Sequence, residues 1–240
     1  MITHQELVNE ISQELYEDKD ILALILYGSV SRNEEGENSD IDLLAITNQN
    51  ILQKRHEIRY GITVEFVEEH LKTLKKAIAE NEMPMLFALR DGIILFDKTS
   101  EIEQLIAKAK KILEAGPPKN EKWEDEKYRT KRRSDLTEIY KDLLDIDNVI
   151  AFNYVASLLI ANAMPILLEN NNLWHNTRKK TINYLKANCN EGYKYIETLL
   201  NPVCSLSEKR KAAENLTEYV LKPYGGILKG EAIIFRINDM

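Results

Sequence analysis

The sequence predicts an α+β chain in two parts: an N-terminal domain built on a small mixed sheet flanked by helices, and a C-terminal all-α helical bundle. Three observations carry this. Short apolar runs alternate with amphipathic stretches as far as Leu113, Gly116-Pro117-Pro118 then stops the last of those helices, and the pattern downstream is almost wholly helical. The expected domains are residues 1–115 and 119–240.

The first helix opens on a capping box, Thr3 with Glu6, and carries an apolar stripe of Leu7, Val8, Ile11 and Leu15. Ile21 to Tyr27 is seven apolar residues long, too short for a helix, and reads as a strand buried on both faces that ends at Gly28-Ser29. Ile41 to Thr47 is a second strand and Ile62 to Val67 a third. Leu71, Leu74 and Ile78 mark a helix, Met83 to Leu89 another, and Gly92 to Phe96 a further strand. A second capping box, Ser100 with Glu103, is expected to start the helix that runs to Leu113. Beyond Pro118, helices are expected over 121–146, 148–170, 176–188, 191–200 and 205–221, with Ala232 to Ile237 as a returning strand.

Charge narrows the function classes. The 240 residues carry a net −7, which argues against a general nucleic-acid binder. Residues 1–115 hold 13 basic and 22 acidic side chains, residues 116–240 hold 19 and 17, so the acidity lies in the first half. That half suits a divalent metal or a cationic ligand. Cys189 and Cys204 form no CxxC and no disulfide framework, the N-terminus has no apolar signal core, and a cytoplasmic location is expected. Val149 to Leu168 is long enough to span a membrane, but Asn153, Ser157, Asn162 and Pro165 interrupt it, and a central bundle helix is expected instead. The four histidines are scattered without the spacing of a zinc site, and the basic run Lys127 to Arg133 reads as a solvated helix face.

The chemistry concentrates in one segment: a buried strand, Gly28-Ser29, ten residues, then Asp40-Ile41-Asp42, then Glu65 in the middle of an apolar strand. Residues i and i+2 of a strand share a face, so the two aspartates point together while Ile41 and Leu43 turn to the core. Two adjacent carboxylates repel unless a cation neutralises them, and Mg²⁺ takes oxygen ligands of this kind together with substrate phosphates. Glu65 is a third ligand if its strand pairs with the second, an antiparallel pairing being expected. Glycine lets the backbone approach a ligand, a helix starting at Ser29 would aim N–H groups at phosphate, and Arg32 lies one turn in.

Gly28-Ser29-Val30-Ser31-Arg32, Ser39-Asp40-Ile41-Asp42 and Val64-Glu65-Phe66 resemble the signature of the DNA polymerase β-like nucleotidyltransferase superfamily, and within it the small-molecule branch of kanamycin-type aminoglycoside nucleotidyltransferases. The motifs cover about 40 residues, and the two-domain layout extends the likeness loosely over the chain. The resemblance implies that Asp40, Asp42 and Glu65 hold Mg²⁺, that Gly28, Ser29 and Arg32 hold the triphosphate of ATP or another NTP, and that Glu138 on the first bundle helix is the base that deprotonates the acceptor hydroxyl. A phosphate-contacting lysine expected one turn after Glu138 is not matched, since Asp142 stands there beside Lys141. The implied activity is transfer of a nucleoside monophosphate to a small, cationic acceptor such as an aminoglycoside, with release of pyrophosphate and a role in antibiotic resistance. No nucleic-acid or membrane partner is expected, and a monomer and a homodimer both stay open. Two alternatives stand beside it: a protein nucleotidyltransferase of antitoxin or regulatory type, and a nucleotide-binding module without turnover.

Overall fold

The computed structural model describes residues 2–177 and 179–229. The chain divides into two compact units, Met1–Ala115 and Gly116–Met240. The expected strand at Ala232 to Ile237 lies outside the described residues.

In the first unit α1 (His4–Glu17) starts on the capping box, Thr3 Oγ1 accepting from Glu6 N and Glu6 Oε2 accepting from Thr3 N. Five strands follow: β1 (Ile21–Tyr27), β2 (Ile41–Thr47), β3 (Leu52–Arg59), β4 (Ile62–His70) and β5 (Ile93–Asp97). Their spatial order is β3-β4-β2-β1-β5. Every neighbouring pair is antiparallel except β2 and β4, which run parallel. That corrects the expected antiparallel pairing of Glu65's strand with β2. The cause is β3, an unforeseen strand that forms a hairpin with β4 and returns the chain so that β4 lies along β2 in the same direction. The hairpin turns at Tyr60-Gly61, both with positive φ (54° and 84°), the geometry that matches the twist of the flanking strands.

The central strands β1 and β2 are buried on both faces. Leu24 and Leu26 meet Ile41, Leu43, Val64 and Phe66 against Leu7, Val8 and Ile11 of α1. Ala23, Ile25, Leu44 and Ile46, which alternate with them, are also buried, on the side covered by α2 (Leu71–Ala79), α3 (Met83–Arg90) and α4 (Ile102–Ala115). The expected capping box at Ser100 does not form: Ser100 has φ 61°, and Asp97 does the capping. Its Oδ1 accepts from Thr99 N, Thr99 Oγ1 and Ser100 N, and its Oδ2 from Ile102 N at the start of α4.

In the second unit a short 3₁₀ turn, Glu121–Glu124, precedes α5 (Glu126–Asp145), and α6 (Val149–Asn170), α7 (Thr181–Asn188), α8 (Asn190–Leu200) and α9 (Leu206–Leu221) follow. α6 is the apolar helix singled out in the sequence. Phe152, Leu159, Ala163, Ile166 and Leu167 bury it against α5, α8 and α9, although by length and composition alone it also qualifies as a candidate membrane span. Trp123 stacks on Tyr224 with ring centroids 3.7 Å apart and donates through Nε1 to Glu169, which ties the start of the unit to its far end.

Candidate functional site

β1 ends at Gly28, which adopts φ +78°, and the chain then makes one 3₁₀ turn, Val30–Arg32, in place of the helix expected from Ser29. Asn33 in the left-handed region closes that turn, with Ser31 Oγ donating back to the Gly28 carbonyl. The glycine has a concrete reason. A Cβ at position 28 would overlap Asp42 Oδ2 and lie 2.8 Å from Asp42 Cγ. Gly28 therefore makes room for the carboxylate, quite apart from any ligand.

Asp42 is the second residue of β2, faces Tyr27 across the β1 pairing, and is in register with Glu65 across the parallel β4 pairing. Asp40 precedes the strand by one residue and is exposed. Asp40, Asp42 and Glu65 each present a carboxylate oxygen within 4.8 Å of the others. This all-oxygen set suits a hard divalent cation, whose ligands sit about 2.0–2.6 Å from the ion depending on its size. The three predicted carboxylates are thus brought together.

The electrostatics show the strain of that arrangement without a cation. Burial, then the charges of Asp40 and Glu65, push the Asp42 carboxyl up from 3.8 to about 7, and the opposing pull of Lys54 and Arg32 is too small to restore it. The Tyr27 phenol is likewise pushed up, by burial first and then by Asp42, Glu65 and Asp40. Carboxyls displaced by burial together with neighbouring charges are concentrated at functional sites.

The proposed phosphate ligands fare differently. Ser29 makes no side-chain cap to the 3₁₀ turn, and its carbonyl accepts from Arg32 N and Glu34 N. Arg32 is committed to carboxylates: Nη1 donates to Asp91 Oδ2 at 2.7 Å and Nε to Glu34 Oε2 at 2.8 Å. Burial raises the Asp91 carboxyl, but the hydrogen bonds and charges of Arg90 and Arg32 outweigh it and hold the group below its ordinary range. Glu138 lies in the other unit, exposed on α5, and accepts a hydrogen bond from Ser134 Oγ at 2.9 Å.

Sequence reasoning missed three neighbours of the cluster. Tyr27 is one. The others are Lys54 and His56 of β3: Lys54 Nζ lies 2.7 Å from Glu65 Oε1 and His56 Nε2 lies 3.8 Å from Glu65 Oε2. The signal that could have found them is the Tyr60-Gly61 turn, which makes the eight polar-rich residues before it a hairpin partner of β4.

Residues 9–101 match the family model described as "Polymerase beta, Nucleotidyltransferase". The matched span runs from α1 to the residue before α4 and includes all three carboxylates, so the first unit is a nucleotidyltransferase-like domain. No curated protein matches the sequence. Among solved structures the chain is similar to a nucleotidyltransferase-like protein from Exiguobacterium sibiricum, at 14% identity and a TM-score of 0.49 over 92% of this chain and 75% of that one. The helical unit falls outside the residues that the nucleotidyltransferase family model matches.

Proposed function

We propose that the chain is a metal-dependent nucleotidyltransferase that moves a nucleoside monophosphate from an NTP, with ATP as the first candidate, to a hydroxyl of a small cationic acceptor. The observation that carries this reading is the Asp40, Asp42 and Glu65 cluster, set on paired strands inside the span that matches the family. When bound there, Mg²⁺ would neutralise the triphosphate and the developing charge on the pyrophosphate leaving group.

The protein's own residues would do the rest. Asp40, Asp42 and Glu65 together supply the negative charge that draws the cation in, with Gly28 leaving the space that Asp42 needs. The Gly28-Ser29 turn would present backbone to the triphosphate, and Arg32 would reach it by exchanging its contact with exposed Glu34 for a phosphate oxygen while Asp91 keeps its anchor. Glu138 takes the acceptor's proton. Support for a cationic acceptor comes from the segment leading to the cluster, where Glu34, Glu35 and Glu37 precede Asp40. Glu35 and Glu37 line an open depression of about 610 Å³ together with His4 and Ile62, and the His4 ring hydrogen-bonds the Ser39 carbonyl next to Asp40. An aminoglycoside has the chemistry for such a surface, and an antibiotic-resistance role would follow from it.

The test is pyrophosphate release with Mg²⁺ and each NTP against amino sugars, lincosamides and candidate protein acceptors. Acceptor-dependent release by the parent, lost by orders of magnitude in Asp42→Asn, is the expected result, and Glu138→Gln should lower kcat far more than KM. Release that survives Asp42→Asn would overturn the reading.

A further inference from the structure

The β3–β4 hairpin brings two basic side chains to the third carboxylate. His56 is the register partner of Glu65, and Lys54, two residues earlier on the same face of β3, reaches the same side chain. The Lys54 ammonium contacts Glu65 Oε1 at 2.7 Å, and the His56 ring stands 3.8 Å from Oε2, too far for a hydrogen bond. Asp40 and Asp42 have no such partner among the ion pairs of the described residues.

We propose that Lys54 is the second cation of this site: its ammonium on Glu65 takes the place a second divalent ion would occupy, so the chain holds one divalent ion, on Asp40 and Asp42. The inference rests on the reading of the cluster as a metal site. Charge balance favours it. Three carboxylates carry −3, Lys54 reduces this to −2, and one divalent ion neutralises the remainder. A second ion would have to displace an ammonium already in contact and leave the protein ligands with excess positive charge. The pair also differs from an ordinary surface ion pair. The Glu65 side chain is only 15% exposed, so its charge is poorly screened by water, while the Lys54 stem reaches in from an edge strand and remains 55% exposed. A fixed ammonium cannot act as a Lewis acid on an acceptor hydroxyl. A site built this way leaves removal of that proton to a carboxylate base, in keeping with the role given to Glu138.

The experiment is a Mn²⁺ titration of the full chain at pH 7.5, with free Mn²⁺ read by electron paramagnetic resonance and folding checked by circular dichroism. The parent should bind one Mn²⁺ per chain and Lys54→Arg should do the same. Lys54→Met and Lys54→Gln, two variants so that one poor folder does not decide the matter, should each gain a second Mn²⁺ at least tenfold tighter than any second binding by the parent. Adding Glu65→Gln to either should remove that gain. Two ions bound equally by the parent and Lys54→Met, or one ion bound by every variant, would overturn the role of Lys54 and leave the metal site standing. No Mn²⁺ bound by the parent, or binding unchanged in Asp42→Asn, would instead bring down the metal site itself.

Discussion

Replacing Asp42 by asparagine should remove a pH dependence of stability that the fold imposes on itself. The Asp42 carboxyl titrates at about 7 in the folded chain against 3.8 ordinarily, because burial and the charges of Asp40 and Glu65 oppose its ionisation. Between those two values the folded state holds a proton that the unfolded state has released. Stability of the metal-free protein must therefore fall as pH rises through this window and level off above about 7. Each pH unit is worth about 1.4 kcal/mol, so the whole window is worth about 4 kcal/mol at most, a large share of the stability of an ordinary domain. Asp42→Asn cannot ionise, keeps the side-chain volume, and should be the more stable protein at pH 8 while nearly matching the parent at pH 4.5. The assay is urea unfolding in EDTA at half-unit steps from pH 4.5 to 8.5. The difference between the two proteins isolates Asp42 from every other titrating group. Adding Mg²⁺ at pH 8 should close the gap by stabilising the parent alone. Parallel pH profiles for the two proteins, with no divergence between pH 5 and 7, would refute the reasoning.

Two further outcomes follow from the geometry. Gly28→Ala places a Cβ on the Asp42 carboxylate at a left-handed φ of +78°, and should cost about 2 kcal/mol or more in thermal unfolding while abolishing Mn²⁺ binding; an unchanged melting temperature with full metal affinity would contradict this. Asp97→Ala removes the acceptor of four hydrogen bonds at the entrance to α4, and should cost about 1–2 kcal/mol in urea unfolding at pH 7 with Mn²⁺ affinity untouched.

What could be read in the sequence follows burial. β1 and β2 announce themselves because every residue from Ala23 to Leu26 and from Leu43 to Thr47 is buried, and apolar runs this short read as strands rather than helices. Asp42 and Glu65 stand out for the same reason: a charge set among buried apolar neighbours calls for a partner or an ion. β3 was hidden because nearly all its side chains meet water, with Leu52 and Ile58 exposed at 66% and 77%, so no apolar periodicity betrays it. Missing β3 cost the direction of the β2–β4 pairing and the two basic neighbours of Glu65. Arg32 shows a second kind of limit. Its local spacing points to phosphate, but its partner Asp91 is remote in sequence, and no local pattern reports a contact of that range. At Ser100 two capping patterns overlapped, and the deciding factor was that Asp97, at the end of β5, satisfies four donors at once.

The same hairpin has a bearing on assembly. With the order β3-β4-β2-β1-β5, β3 and β5 are the edge strands among the described residues, and an edge strand left unpaired invites a strand from another molecule. Along β3 every Lys, Arg and Glu is already engaged: Lys54 with Glu65, Arg55 with Glu57 and Glu68, and Arg59 with Glu57 and Glu14. A strand laid against that edge would meet a row of charged side chains held in place, and would gain little apolar contact in return. β5 has no such guard, running Ile93, Ile94, Leu95 and Phe96 before its first charge. Among the described strands, intermolecular strand addition is thus favoured at the five-residue edge of β5, on the side of the sheet away from Glu65, and a strand added there would leave the carboxylate cluster untouched.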